Sequence, residues 1–131
     1  MYASPYRVGI DIVYVPHVLD SIERFGSRFL DRIFTKEEQV YCRQHASISI
    51  VAQSFAARFA AKEATIKVLR PAASFSLDWR CIAVHRSPEG WCDILLSEQA
   101  ADLARSRGIV SLSLSMSHEC EYATAVVVAD F

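Results

Sequence analysis

An α+β fold, with an antiparallel sheet packed against one long helix and several shorter helices, is what this sequence predicts. Three observations carry that expectation. Residues 7–15 form a β-branched stretch that reads as a strand. Residues 50–69 are Ala-rich and free of Gly and Pro until Pro71, the mark of a long helix. Beyond Pro71 the chain breaks into short strand-like runs around turn signals, so the order is strand, helices, hairpin, helix, hairpin.

In the first strand Val8, Ile10, Ile12 and Tyr14 share one face, and Gly9, Asp11, Val13 and Val15 share the other. Pro16 suits a first helical position and Gly26 a stop. A second short helix is expected over residues 27–33. Thr35-Lys-Glu-Glu38 is a capping-box pattern that starts a third near Lys36. After the long helix, residues 79–86 and 91–96 read as strands around the turn Ser87-Pro-Glu-Gly90. Ser97 is placed to cap a short helix ending at Gly108. Val110, Leu112, Leu114 and Met116 then alternate with Ser111, Ser113, Ser115 and Ser117, a half-buried strand with one polar face. His118-Glu-Cys-Glu121 turns the chain into a last apolar strand over residues 122–129.

The 131 residues fit a single domain, residues 1–131, and a 52% hydrophobic composition supports a packed core. Lys plus Arg is 14 against 15 for Asp plus Glu, a formal net charge of -1, which argues against a general nucleic-acid binder. No apolar run approaches the roughly 18 residues that cross a bilayer. The first nine residues carry one Arg and no apolar core, so they do not read as a signal peptide, and a cytoplasmic location is expected. Cys42, Cys81, Cys92 and Cys120 form no CxxC pair, which speaks against structural zinc, and they are expected to be free thiols.

Three segments bear chemistry. Two of the three lysines lie in Arg58-Phe-Ala-Ala-Lys-Glu-Ala-Thr-Ile-Lys67. On a helix Phe55, Phe59 and Ile66 make a narrow apolar stripe flanked by Lys62 and Glu63, with Arg58 beside Lys62 and Lys67 beside Glu63. The plain reading is an amphipathic helix with a Glu63/Lys67 pair. Asp11 is a carboxylate in an apolar strand, either on a solvated face or paired with something. Taken together, Asp11 and Glu63 suit Mg²⁺, and Arg58, Lys62 and Lys67 suit a phosphate-bearing substrate. Ser115-Met-Ser-His118 is a poor hydrolase signal, with no GxSxG and with Ser117 and His118 adjacent. A turn there could bind phosphate or sugar, or His118 could merely cap it.

The ordered set Gly9-Ile-Asp-Ile-Val13, Arg58-Phe-Ala-Ala-Lys-Glu-Ala64 with Lys67, and Ser115-Met-Ser-His118 followed by Glu121-Tyr-Ala123 resembles the holo-acyl-carrier-protein synthases. These are the short, single-repeat members of the 4′-phosphopantetheinyl transferase superfamily. Residues 29–38 (FLDRIFTKEE) and Leu96-Ser97 with Ala100 also match, so the resemblance spans nearly the whole chain. It implies the 4′-phosphopantetheinyl transferase fold. The implied activity is transfer of the 4′-phosphopantetheine arm of coenzyme A to a serine of an apo acyl carrier protein, releasing 3′,5′-ADP.

By the same resemblance Asp11 and Glu63 would hold Mg²⁺ on the diphosphate, and Lys67 and Lys62 would neutralise diphosphate and leaving-group charge. Arg58, Ser117 and His118 would contact the nucleotide, with Phe59, Phe29 and Arg32 lining the cleft. The serine proton would go to Glu63 or to a water on the metal. A homotrimer is implied, with the site between protomers. An acidic carrier would dock on a basic face drawn from Arg7, Arg24, Arg28 and Arg32.

Four places depart from the family pattern. Tyr14 stands for a common Glu, Pro16-His17 for a basic residue, Val68-Leu-Arg-Pro71 for a Gly-rich turn, and Trp91-Cys92 follows Gly90 in place of the usual x-Pro. The implied carrier is of fatty-acid or polyketide type, and these departures point to a specialised paralogue serving a polyketide or other secondary carrier in place of the general fatty-acid one. They also motivate the alternative of a non-catalytic coenzyme A or carrier-binding module of the same fold.

Overall fold

A computed structural model of the chain describes residues 4–131, so the part of the signal-peptide and single-domain readings that concerns residues 1–3 lies outside the described residues. Strand β1 (Tyr6–Tyr14) leads into α1 (Val15–Phe25), α2 (Ser27–Ile33), α3 (Lys36–Cys42) and the 22-residue α4 (Ile48–Leu69). A hairpin of β2 (Ile82–Arg86) and β3 (Cys92–Leu96) follows, then α5 (Glu98–Ser106) and the pair β4 (Ser111–Glu119) and β5 (Tyr122–Asp130). The strands form two antiparallel sheets, β1-β5-β4 and β2-β3.

The local signals act as expected at the early helices. Pro16 sits in the first turn of α1, and Gly26 ends that helix with φ 53°, a conformation open to glycine. The Thr35 hydroxyl accepts from the Glu38 N–H while Glu38 accepts from the Thr35 N–H, closing the capping box of α3.

Three expectations shift. Residues 79–81 form a single 3₁₀ turn, not strand, because the Asp78 carboxylate accepts from the Arg80 N–H and starts a turn. The Ser97 side chain makes no cap bond at α5. Strand β4 continues through His118 and Glu119, so the chain reverses only at Cys120 and Glu121, and Cys120 takes φ 54°.

The largest correction concerns α4. It is not an amphipathic rim helix but the central rod of the molecule, buried on nearly every side from Val51 to Leu69. Its alanines (Ala56, Ala60, Ala61, Ala64) are the reason. Small side chains let the inner face of β1-β5-β4 press close on one flank, while α1, α3, β2 and α5 cover the others. Gly9 of β1 stands directly against the Ala64 carbonyl, where any Cβ would collide. The C-terminal carbonyls of α4 are met by guanidiniums: Arg7 donates to Val68 O (2.8 Å), and Arg107 to Leu69 O (3.3 Å) and Arg70 O (2.6 Å). Arg7 therefore serves the core end of a helix and not a docking face.

None of the described residues covers the outer face of the three-stranded sheet. Val8, Ile10 and Ile12 are 62%, 58% and 66% exposed, with Val126 and Val128 beside them and the β4 serines along the edge. Cys42 and Cys81 are buried in the core.

Candidate active site

Asp11 and Glu63 meet because β1 lies on α4 with no side chain at Gly9 to hold them apart. Both carboxylates line one cavity of about 350 Å³, together with Tyr14, His17, Ser21, Phe29 and Phe59. Lys67, one helical turn beyond Glu63, donates to the Ile10 carbonyl (2.6 Å) and lies 3.5 Å from the Asp11 carboxylate. The expected helix pair between Glu63 and Lys67 gives way to this cross-element contact.

The electrostatics fit a cation site. Burial raises the proton affinity of Asp11, with Lys67 opposing it. Burial also raises that of Glu63, the Asp11 charge adds to the rise, and Lys67 again opposes it. Two partly buried like charges are unfavourable by themselves, and a divalent cation between them removes the conflict. Although His17 lines the same cavity, among the described residues no third His, Cys, Asp or Glu completes a metal-holding group with them. A hard cation that keeps its waters and takes substrate oxygens suits such a pair, as Mg²⁺ does.

Lys62 is placed elsewhere. Its side chain is fully buried, and Nζ donates to Glu38 Oε1 (2.9 Å), Ile82 O (2.5 Å) and Trp79 O (3.3 Å). Glu38 Oε2 in turn accepts from the Val84 N–H (2.8 Å). The expectation that Lys62 neutralises diphosphate charge is therefore corrected: the helix is buried on the Lys62 side, and the ammonium is consumed in pinning α3, α4 and β2 together. Burial lowers its proton affinity, while the Glu38 carboxylate restores part of it.

Arg58 and His118 come together in a second cavity of about 460 Å³, between α3, α4, the hairpin and β4. Arg58 is buried, donates to Ser54 Oγ (3.0 Å) and O (3.3 Å), and stacks on Tyr41 with its guanidinium carbon 4.5 Å from the ring centre. Arg86 lies 5.1 Å from the same ring. Tyr41, His45, Arg86 and Trp91 line this cavity and were not anticipated. Two arginines and an aromatic ring brought together from α3, α4 and β2 leave no spacing signature in the chain.

Ser117 does not join His118 there. Strand alternation sends it to the outer face, opposite Thr124, so the expected Ser/His turn is absent. Phe59 stacks on Trp79 at 5.3 Å and 17°. Phe29 bridges the carboxylate cavity to an arginine-rich groove lined by Arg28, Arg32, Arg80, Asp31 and Phe25, with Arg80 paired to the Asp78 carboxylate (3.0 Å), so Arg32 belongs to that groove and not to the carboxylate cavity.

The family model of the 4′-phosphopantetheinyl transferase superfamily matches residues 7–126, which include every one of these site residues. The chain belongs to that superfamily. Relatives in it named holo-[acyl-carrier-protein] synthase include one from Koribacter versatilis, 41% identical over 122 residues, covering 93% of this chain and 95% of its own. Another, from Chlamydia trachomatis, is 40% identical over 125 residues, covering 95% and 99%. The crystal structure of the Helicobacter pylori holo-[acyl-carrier-protein] synthase in complex with coenzyme A superposes with a TM-score of 0.80 at 33% identity, covering 95% of this chain and all of the other. The α+β architecture described above is thus the 4′-phosphopantetheinyl transferase fold.

Proposed function

We propose that this transferase moves the 4′-phosphopantetheine arm of coenzyme A onto a serine of an apo acyl carrier protein, releasing 3′,5′-ADP. One observation carries the reading: Asp11 and Glu63 face one cavity, with Lys67 held against Asp11. The two carboxylates would hold Mg²⁺, which when bound draws charge from the diphosphate and orients it.

This chain's own residues do the remainder. Lys67, fixed by the Ile10 carbonyl, offers a cation to the diphosphate as charge moves onto the leaving nucleotide. Arg58 and His118 hold the nucleotide in the neighbouring cavity. Phe29 and Phe59 form an apolar wall along the carboxylate cavity. In the transfer the carrier serine Oγ bonds to the phosphorus bearing pantetheine, and the phosphoanhydride bond to the nucleotide breaks. Its electron pair leaves on 3′,5′-ADP, and the serine proton passes to the Glu63 carboxylate, which faces the same cavity.

The acidic carrier docks on the groove of Arg28, Arg32 and Arg80 beside Phe25, which opens next to the carboxylate cavity through Phe29 and Ser21. The bare outer sheet face of Val8, Ile10 and Ile12 supports a homotrimer, in which Ser117 on that face reaches coenzyme A across the interface. No helix among the described residues is long and apolar enough to cross a membrane. The reading places the reaction in the cytoplasm, in keeping with thiols that pack as small hydrophobes at Cys42 and Cys81.

The test is mass spectrometry of apo carrier proteins incubated with the protein, coenzyme A and Mg²⁺. A gain of one phosphopantetheine arm, abolished by chelator and by Glu63→Ala, is expected. Coenzyme A binding without any gain, across fatty-acid and polyketide-type carriers, would replace the reading with the non-catalytic binding module.

A further inference from the structure

The cavity that holds Arg58 and His118 has one lining residue whose exposure nothing in the fold accounts for. Trp91, directly after the β2–β3 turn, is 76% exposed, the most open tryptophan of the two in the chain. Its position is not loose. The Ser87 N–H donates to the Trp91 carbonyl (2.7 Å), the Trp91 N–H donates to Ser87 Oγ (3.1 Å), and the Gly90 N–H donates to Ser87 O (2.9 Å). Gly90, at φ 97°, sets the turn in a conformation that a side chain would strain. A fixed backbone thus holds a bare indole on a cavity that also contains the two guanidiniums stacked on Tyr41.

An indole beside two arginines is complementary to a ligand with a planar aromatic ring on one side and phosphates on the other. We infer that Trp91 is the stacking platform for the adenine of the coenzyme A nucleotide, its phosphates being held by Arg58 and Arg86. The inference rests on the proposed function, whose coenzyme A it would bind.

Calorimetric titration of the full chain with 3′,5′-ADP and with ribose 3,5-bisphosphate, which lacks the base, separates stacking from phosphate binding. Trp91→Ala is expected to weaken 3′,5′-ADP about tenfold or more and to leave ribose 3,5-bisphosphate unchanged. Trp91→Phe should recover most of the loss, and wild-type indole fluorescence should change on 3′,5′-ADP addition but not on addition of the abasic ligand. Equal losses for both ligands, or an unaltered 3′,5′-ADP affinity in Trp91→Ala, would overturn the platform while leaving the proposed function standing. An altered oligomeric state in Trp91→Ala with affinity intact would assign the indole to an interface instead. Failure of the wild-type chain to bind either ligand would remove the coenzyme A reading itself.

Discussion

Gly9 and Ala64 are in direct backbone apposition: the Cα of the strand glycine faces the helix carbonyl with no room for a methyl group between them. Asp11 lies two residues further along the same strand face, and Glu63 sits immediately before Ala64. The close approach of strand and helix is therefore what converts two distant carboxylates into a pair.

Gly9→Ala tests that dependence. The added methyl meets backbone, which cannot swing aside, so the strand must lift from α4. Overpacking of this kind costs about 1–3 kcal/mol. A displacement on the order of 1 Å at Asp11 is expected to slow transfer about 10²-fold. Thermal unfolding and the apo-carrier assay measure the two effects; a variant with wild-type transfer would show that the pair forms without the close approach.

Lys62→Ala separates structure from chemistry. Removing the ammonium leaves Glu38 charged and buried and the Ile82 carbonyl without its donor, a loss of about 3–5 kcal/mol in stability. Denaturant titration should show it directly. Below the melting range, the folded fraction should keep its KM for coenzyme A, because the side chain does not reach the diphosphate.

The carboxylate pair gives a pH signature of definite sign. Asp11 and Glu63 hold protons more tightly in the folded chain than in the unfolded one, chiefly through burial. Stability without Mg²⁺ should therefore fall as pH rises from the ordinary carboxylate range through the raised folded values. Asp11→Asn should flatten that decline and raise Tm above wild type in metal-free buffer, while losing transfer activity about 10²-fold or more. Mg²⁺ should close the Tm gap by stabilising the wild type, and its affinity should weaken as pH is lowered through the same window. Calorimetry at several pH values, with and without Mg²⁺, reads all of these.

Lys67→Ala should lower kcat far more than it raises the dissociation constant of the carrier, because the ammonium stands beside Asp11 and away from the arginine groove. A variant that docks the carrier poorly yet turns over normally would move Lys67 out of the diphosphate role.

Ile10→Glu addresses the uncovered sheet face. A carboxylate between Val8 and Ile12 is compatible with a free surface and incompatible with a buried one. Sedimentation should show a trimer for the wild type and smaller species for the variant, with the far-UV spectrum retained.

The elements were legible in the sequence where a local rule decides them. Pro16, Gly26 and the Thr35/Glu38 box act within a few residues of themselves, and α1, α2 and α3 fall where those residues put them. Asp11 and Glu63 were legible as candidates from their residue types and the family resemblance, but their convergence was not, because it depends on how closely β1 packs on α4. Lys62 was not. Its fate depends on whether the Arg58-to-Lys67 helix is covered on one side or all round, and alanine content alone does not state what presses against it. Tyr41 and Arg86 escaped for the same reason, their meeting with Arg58 being set by how α3 and the hairpin lie on α4. The Ser/His turn was not legible, because β4 runs on through His118 and Glu119 and strand alternation points Ser117 to the outer face, away from the cavity that His118 shares with Arg58.

The knot of Glu38 and Lys62 has a consequence for anyone exchanging parts between members of this superfamily. One carboxylate oxygen answers the β2 amide, and the other answers both the ammonium and the start of α3. A chimera that imports a foreign third helix or a foreign hairpin without its matching counterpart strands an ion in the interior. Grafts meant to retune carrier choice should therefore be cut on the solvent side of this junction, transplanting α1 and the arginines of α2 while leaving residues 35–38, Lys62 and residues 79–84 as one inherited block.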